Sequence, residues 1–138
     1  MKPLSIVLVD DNPMFLRIAT RYLATSYPAE LALGGTAGTA EEALELALRQ
    51  QPDAVVADLA LPCLSGLELI GRLRKQRADM VIVALTIHDD EAHRQAALAA
   101  GADAFVGKAN LGTDLVPALL RAARARQGEP ELETQEDR

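Results

Sequence analysis

Acidic side chains follow two apolar stretches of this sequence, and they are the residues most able to do chemistry. Asp58 comes directly after residues 54–57, and Asp10 and Asp11 come directly after residues 5–9. Apolar runs of this length are typical of strands that are buried on both faces. Because an unpaired buried carboxylate is costly, each run predicts a strand that delivers its acids to the edge of a sheet.

Two other polar residues end later apolar runs in the same way. Thr86 follows residues 80–85, and Lys108 follows residues 104–106 after a single glycine. In open α/β sheets the carboxyl ends of the parallel strands share one edge, and ligands bind there. The two side chains are therefore expected to lie close to the three aspartates.

The expected group of side chains favours phosphoryl transfer. A pair of carboxylates about 4 Å apart repels by on the order of 4 kcal/mol at an effective dielectric constant of 20. A divalent cation cancels that repulsion, and a site with oxygen ligands alone suits Mg²⁺ (or Mn²⁺). A lysine ammonium can hold a phosphoryl oxygen, and a threonine hydroxyl can donate to an anion. A carboxylate nucleophile, a metal ion, a lysine and a hydroxyl together suit this chemistry.

Each residue also has an ordinary structural explanation when it is considered alone. Asp10 and Asp11 could cap a helix, and Asp58 could be an acid in a loop. Thr86 and Lys108 could be solvated residues at strand ends. Independent surface residues need not fall at the same end of consecutive strands, so the joint pattern favours a shared site.

The elements that must position these residues alternate along the chain. The predicted strands are residues 5–9, 31–33, 53–58, 80–85 and 104–106, and a predicted helix follows each of them. Such alternation predicts an α/β domain, a doubly wound parallel sheet of five strands with helices on both faces. With the short second strand at an edge, the strand order is 2-1-3-4-5, that of a flavodoxin-like (βα)5 fold.

Two helices carry more detailed expectations. The first is expected to begin with Asn12 as its N-cap and Pro13 at its first position. Its core-facing stripe is expected to consist of Met14, Phe15, Ile18, Ala19, Tyr22 and Leu23. The last helix is expected over residues 113–126, which places Pro117 near its first turn.

Length and composition limit the class of protein. The 138 residues suffice for one domain. No apolar run approaches the roughly 18 residues of a membrane helix, and no cleavable signal pattern opens the chain. With Cys63 as its single cysteine, the chain has no internal disulfide, and these features together favour the cytoplasm and no membrane partner.

The charge distribution separates a folded part from a tail. The net charge is −6, and residues 127–138 contribute five acids and one base to it. This tail is expected to be disordered, which leaves residues 1–126 as the domain. The rest of the chain has no basic surface pattern, so no direct binding of nucleic acid is expected.

The sequence resembles the receiver domain of two-component response regulators over residues 4–126. The matching segments are Val9-Asp10-Asp11, Asp58-Leu59-Ala60-Leu61-Pro62 with Gly66, Leu85-Thr86, and residues 101–108. The resemblance implies that Asp58 accepts a phosphoryl group from a sensor histidine kinase or a phosphotransfer protein. It also implies that Asp11, Asp58 and the main-chain carbonyl of Ala60 bind Mg²⁺ directly, with Asp10 acting through water.

The same resemblance assigns a switch to the later strands. Thr86 and Lys108 would hold the phosphoryl group, and Phe105 would fill the space that Thr86 leaves. The face made by the fourth helix, the fifth strand and the fifth helix would then repack and bind a partner or a second copy. Three residues depart from the usual pattern: Phe105 lacks the hydroxyl of the common tyrosine, Ile87 is large, and Ala109 replaces a common proline.

Residues 86–91 and 10–15 are most similar to the NarL/FixJ branch, whose members usually carry a C-terminal LuxR-type DNA-binding domain. Residues 127–138 are then expected to be a truncated linker of a transcriptional regulator, or else the end of a stand-alone receiver. A pseudo-receiver that is not phosphorylated is the other alternative. A hydrolase of the haloacid dehalogenase type needs an acid where this chain has Ala60, so the expectation is a phosphoacceptor and not a turnover enzyme.

Overall fold

The computed structural model describes residues 2–61 and 64–128, and this part of the chain contains five parallel strands and five α-helices. The strands pair in the order β2-β1-β3-β4-β5, which confirms the predicted (βα)5 fold. The elements are β1 Leu4–Val9, α1 Pro13–Ser26, β2 Leu31–Ala37, α2 Ala40–Gln50, β3 Ala54–Asp58, α3 Gly66–Gln76, β4 Val81–Thr86, α4 Glu91–Ala100, β5 Ala104–Gly107 and α5 Leu111–Arg126. A short 3₁₀ turn, Lys108–Asn110, joins β5 to α5.

Alternate residues of the strands build two separate cores, one on each face of the sheet. On one face Val55 and Ala57 of β3 pack with α2, α3 and α4. On the other face Ala54 and Val56 pack with α1 and α5. Since successive side chains of a strand point to opposite faces, a strand buried on both sides must be apolar throughout. This requirement explains why the polar residues of β3 and β4 come only at their ends.

The first helix begins as predicted, but part of its predicted core stripe is wrong. The Asn12 side chain accepts hydrogen bonds from the amides of Met14 and Phe15, which makes Asn12 the N-cap. Ala19 is buried, whereas Ile18 is 60% exposed, and Met14 and Tyr22 are exposed as well. At 3.6 residues per turn, Ile18 lies about 100° from Ala19 around the helix. It therefore lies outside the sector of α1 that faces the sheet.

The prediction for Pro117 is also wrong. The 3₁₀ turn runs directly into α5, so the helix begins at Leu111 and Pro117 lies in its interior. Pro117 has no amide to donate to the carbonyl of Thr113, one turn earlier.

The second strand lies at an edge, as predicted, but it is longer than the sequence pattern indicates. It continues through Gly34 and Gly35 to Ala37. Its register with β1 shifts there, since Ile6 pairs with Leu33 and Val7 pairs with Gly35. Gly34 is therefore the extra residue of a β-bulge, a feature that is common at sheet edges.

Some expectations concern residues outside the described ranges. Pro62, Cys63 and residues 129–138 lie there, so the predicted disorder of the tail is not tested. None of the helices in the described ranges combines the length and hydropathy needed to cross a bilayer.

Candidate functional site

The carboxyl ends of four strands bring polar side chains to one edge of the sheet. Asp10 follows β1, Asp58 ends β3, Thr86 ends β4 and Lys108 follows β5. The strand register aligns these residues. Asp58 pairs with Leu85, and the next residue, Thr86, pairs with Gly107, which precedes Lys108. The parallel arrangement of the strands thus places the four side chains at the same level of the sheet.

Lys108 lies between two of the acids. Its Nζ is 2.6 Å from Oδ2 of Asp10 and 3.4 Å from Oδ2 of Asp58. The side chain is only 18% exposed. A positive charge so close to two carboxylates offsets part of their mutual repulsion.

The two buried acids differ in how well their oxygens are satisfied. Asp10 is 1% exposed, and its Oδ1 accepts a hydrogen bond from the amide of Asn12 at 3.0 Å. Its Oδ2 accepts no well-aligned hydrogen bond from any described residue, although the Lys108 ammonium is near. Asp58 is also buried, and its Oδ1 accepts from the amide of Ala60 at 3.1 Å. Within the described residues, Oδ2 of Asp10 is therefore paired with the charge of Lys108 alone.

Burial and charge change the proton affinities of the site. Burial raises the pKa of Asp58, and the charge of Asp10 raises it further, against the opposing effects of the Ala60 amide and Lys108. Burial alone would lower the pKa of Lys108, but Asp10 and Asp58 outweigh it and raise that pKa. The lysine is therefore held in its charged form by the acids around it.

The acids at this edge have the arrangement of a cation site. Asp10, Asp11 and Asp58 each offer one carboxylate oxygen, and the three oxygens lie within 4.8 Å of one another. Asp11 is exposed, so one side of the group faces water. Carboxylates with open positions for water suit Mg²⁺, which retains several water ligands. Three carboxylates so close together, two of them buried, fit a divalent cation.

Thr86 and Phe105 occupy different surroundings at the other strands. The Thr86 side chain is buried, and its Oγ1 accepts a hydrogen bond from the amide of His88 at 2.9 Å. Phe105 is half-buried against the core beneath α2, α3 and α4. Ile87 is 71% exposed, and Ala109 lies in the 3₁₀ turn. The threonine hydroxyl is thus engaged with the loop that leads to α4.

Gly66 is required for the loop that follows Asp58. A Cβ atom at this position would lie 2.3 Å from the carbonyl oxygen of Asp58 and 2.4 Å from the Cα of Leu59. The Gly66 amide also donates to the Leu59 carbonyl at 3.1 Å. Because real Cβ atoms do not approach backbone so closely, any other residue would displace the main chain beside Asp58.

Sequence reasoning missed one residue at this edge. It assigned Phe15 to the core stripe of α1, and the ring does pack against that core, but it also lies against Lys108, with its centroid 4.5 Å from Nζ. The sequence offered an incomplete signal, an aromatic residue in the first turn of a helix that follows two acids. Its contact with a lysine 93 positions later depends on the strand order.

The chain matches the family described as the response regulator receiver domain over residues 6–120. This chain belongs to the response regulator receiver family. Receiver domains act in two-component signalling, interact with histidine kinases and bind Mg²⁺ through acidic residues. This receiver domain is accordingly a signalling domain.

Individual relatives indicate the branch of the family. The nitrate/nitrite response regulator protein NarL of Escherichia coli (strain K12) is 34% identical over 122 residues, which are 88% of this chain and 56% of NarL. A LuxR-family two-component response regulator from an Aurantimonas species matches with a TM-score of 0.74 and 30% identity, over 92% of this chain and 87% of that one. A CheY-like receiver domain from Methanospirillum hungatei matches with a TM-score of 0.78 and 25% identity, over 93% and 99%.

These relatives place the receiver domain with the NarL- and LuxR-type regulators, as the sequence resemblance predicted. The chain spans about half the length of the curated relatives it matches.

Proposed function

We propose that this receiver domain is a phosphorylation-dependent switch whose phosphoacceptor is Asp58. The observation that carries the proposal is the convergence of Asp10, Asp11 and Asp58 within 4.8 Å, with the Lys108 ammonium against two of them. A nucleophilic carboxylate beside a cation site and a fixed ammonium is the arrangement that phosphoryl transfer needs, since charge neutralisation and positioning supply most of that catalysis.

Each residue has a defined part in the transfer. Asp58 presents a carboxylate oxygen that attacks the phosphorus of a phosphohistidine, so that the new O–P bond forms as the N–P bond breaks. Asp11, Asp58 and the carbonyl of Ala60 would hold Mg²⁺, with Asp10 linked through water. When bound, the ion neutralises charge on the phosphoryl oxygens. Lys108 pairs with another of these oxygens.

The response to phosphorylation begins at Thr86. Its hydroxyl now accepts from the amide of His88, and it would turn to donate to a phosphoryl oxygen on Asp58. Phe105 would then move into the space beside β4. The face formed by α4, β5 and α5 would repack and bind a partner, with a second copy of the domain as one such partner. Two states that differ by a few kcal/mol suffice for such a shift.

The wider setting follows from the branch of the family. Residues 1–126 are proposed to be the receiver of a cytoplasmic transcriptional regulator, and residues 127–138 the beginning of its linker. DNA binding would belong to a further domain, because the net charge of this chain is −6. A sensor histidine kinase or a phosphotransfer protein would supply the phosphoryl group.

The proposal is tested by intact-mass spectrometry after incubation with acetyl phosphate and Mg²⁺. The wild-type chain is expected to gain the mass of one phosphoryl group, and EDTA is expected to prevent the gain. Asp58→Asn is expected to gain nothing, whereas the matched variant Asp79→Asn, at an exposed aspartate, is expected to behave as the wild type. A wild-type chain that binds no Mg²⁺ and accepts no phosphoryl group from acetyl phosphate or a kinase would be a pseudo-receiver.

A further inference from the structure

We propose that Phe15 is a positioning residue for phosphoryl transfer, because its ring face holds the Lys108 ammonium beside Asp58. This inference rests on the proposed function of Asp58 and Lys108. Its basis is the Nζ of Lys108, which lies 4.5 Å from the centroid of the Phe15 ring. A cation within about 6 Å of a ring centroid, over the ring face, is attracted by the ring quadrupole.

The ring is one of three described groups in contact with the ammonium. Asp10 and Asp58 contact Nζ at 2.6 Å and 3.4 Å, and Nζ lies over the Phe15 ring, 4.5 Å from its centroid. With 18% of the side chain exposed, little water reaches the lysine. Partial removal of water strengthens the attraction between a cation and a ring, so this contact is stronger than one at an open surface.

The same turn of chain that places Asp10 also places the ring. The amide of Asn12 donates to Oδ1 of Asp10 at 3.0 Å, and the side chain of Asn12 accepts from the amide of Phe15 at 3.2 Å. Pro13 occupies the first position of α1 and fixes its own φ angle. The ring also packs against the core on the α1 and α5 side of the sheet. Phe15 is thus tied to Asp10 by two consecutive hydrogen bonds.

A ring suits this place better than a polar side chain would. A carboxylate there would add a fourth negative charge beside Asp10, Asp11 and Asp58 and would compete for the cation. An aromatic ring attracts the ammonium but offers no ligand oxygen. As Lys108 shifts from the acids to a phosphoryl oxygen on Asp58, the ring remains as a neutral partner and limits how far the ammonium moves.

The first test replaces the ring and measures the rate of phosphorylation by acetyl phosphate at saturating Mg²⁺. Phe15→Leu is expected to lower the rate about threefold to tenfold, the effect of one partly desolvated cation–π contact. Phe15→Tyr keeps the ring and is expected to restore the rate. The control is Tyr22→Leu, which removes another aromatic ring from α1. The Tyr22 ring contacts Tyr27, so this variant is expected to leave the rate unchanged.

The second test separates the electrostatic role of the ring from its packing. The chain contains two phenylalanines, so fluorinated phenylalanine is introduced at position 15 alone, with one to five fluorines. The rate is expected to fall stepwise with fluorination, because fluorine weakens the negative face of the ring but keeps its shape. A rate that does not change across the series, or an unchanged rate in folded Phe15→Leu, overturns the proposal.

A spectroscopic measurement distinguishes this proposal from the proposed function itself. The chain contains three lysines, so the Lys108 methylene protons can be assigned by NMR with few variants. The wild type and Phe15→Tyr are expected to show an upfield ring-current shift of these protons that Phe15→Leu lacks. Without that shift in the wild type, the positioning role is wrong. A wild type that shows the shift but cannot be phosphorylated overturns the proposed function instead.

Discussion

Two clusters of charged side chains lie at opposite ends of the sheet, and they differ in how completely their acids are paired. Before β5, both oxygens of Asp103 are used. Arg74 donates to Oδ2 at 2.8 Å, as does the amide of Ile82, and Arg126 donates to Oδ1 at 2.6 Å and 3.0 Å. These contacts join α3, β4 and α5 to the loop before β5. The Asp103 cluster therefore has a structural role, because it holds these elements together.

The cluster at the carboxyl ends of the strands is under-paired by comparison. Asp10, Asp11 and Asp58 lie close together, and the Lys108 ammonium contacts Asp10 and Asp58. Oδ2 of Asp10 lacks a well-aligned hydrogen bond there, and burial raises the pKa of Asp58. Side chains that are left with unsatisfied charge cost stability but remain available to a cation and a phosphoryl group. The acids with incomplete pairing therefore coincide with the end of the sheet that we propose to be functional.

The largest effect on stability is expected at the Asp103 cluster. Asp103→Ala should lower the free energy of unfolding by about 3 kcal/mol, because it removes the carboxylate that neutralises two partly buried arginines, Arg74 and Arg126. Urea denaturation monitored by circular dichroism measures this loss. The control is Asp79→Ala, since Asp79 is 78% exposed and should contribute less than about 0.5 kcal/mol. Equal losses of unfolding free energy in the two variants would show that the hydrogen bonds of Asp103 do not stabilise the domain.

Mg²⁺ should offset part of the repulsion among the acids at the carboxyl ends of the strands, and should thereby stabilise the domain. At about ten times its Kd, Mg²⁺ is expected to stabilise the wild type by about 1.4 kcal/mol, through binding to the native state alone. Asp11→Ala removes an exposed acid from the group, so it should keep the stability without metal but lose the response. Thermal denaturation with Mg²⁺ and with EDTA makes the comparison. A full response in Asp11→Ala would place the cation elsewhere.

Neutralising Asp58 should stabilise the domain at pH 7 in the absence of Mg²⁺. Because folding raises the pKa of Asp58, the native state holds this proton more tightly than the unfolded chain does. Stability from this group is therefore greatest below the unfolded-state pKa of about 3.9, and it is lost as the pH rises through the folded-state pKa. Asp58→Asn should raise the urea midpoint at pH 7 and change it little at pH 3.

The control for that experiment is another aspartate of the same strand region. Asp53→Asn should give no such gain, because the carboxylate of Asp53 accepts hydrogen bonds from the amide and the hydroxyl of Ser5. A midpoint for Asp58→Asn below that of the wild type at pH 7 would show that the Asp58 carboxylate stabilises the fold, contrary to the comparison of the two ends.

The smallest effect is expected at Thr86, which lies at the functional end but has a local partner. Thr86→Val keeps the side-chain volume and removes the acceptor of the His88 amide, at a cost of about 0.5 kcal/mol. Hydrogen exchange should become faster at the His88 amide in this variant, and Thr86→Ser should preserve the slower rate. Identical exchange in the valine variant and the wild type would show that this hydrogen bond does not hold the loop.

Local patterns were sufficient for most of the fold and for much of the candidate site. The apolar runs before Asp10, Asp58 and Thr86 predicted strands, because a strand buried on both faces is apolar throughout and these runs are too short for helices. Asn12 with Pro13 predicted the start of α1. The predicted rotation of α1 about its axis was partly wrong, because the apolar pattern placed Ile18 in the core together with Ala19, and only Ala19 is buried. An apolar stripe shows which helix face is available but not which sector the sheet covers.

The sequence by itself determined the alternation of strands and helices and the residues at each strand end, since these follow from side-chain periodicity and capping within a few residues. Only the tertiary structure decided which distant groups meet. Arg126 reaches Asp103 across 23 positions, and Phe15 reaches Lys108 across 93. Such pairs depend on the strand order and on the rotation of each helix about its axis. Those are set by the packing of all the elements together, because no single segment can bury its apolar face alone.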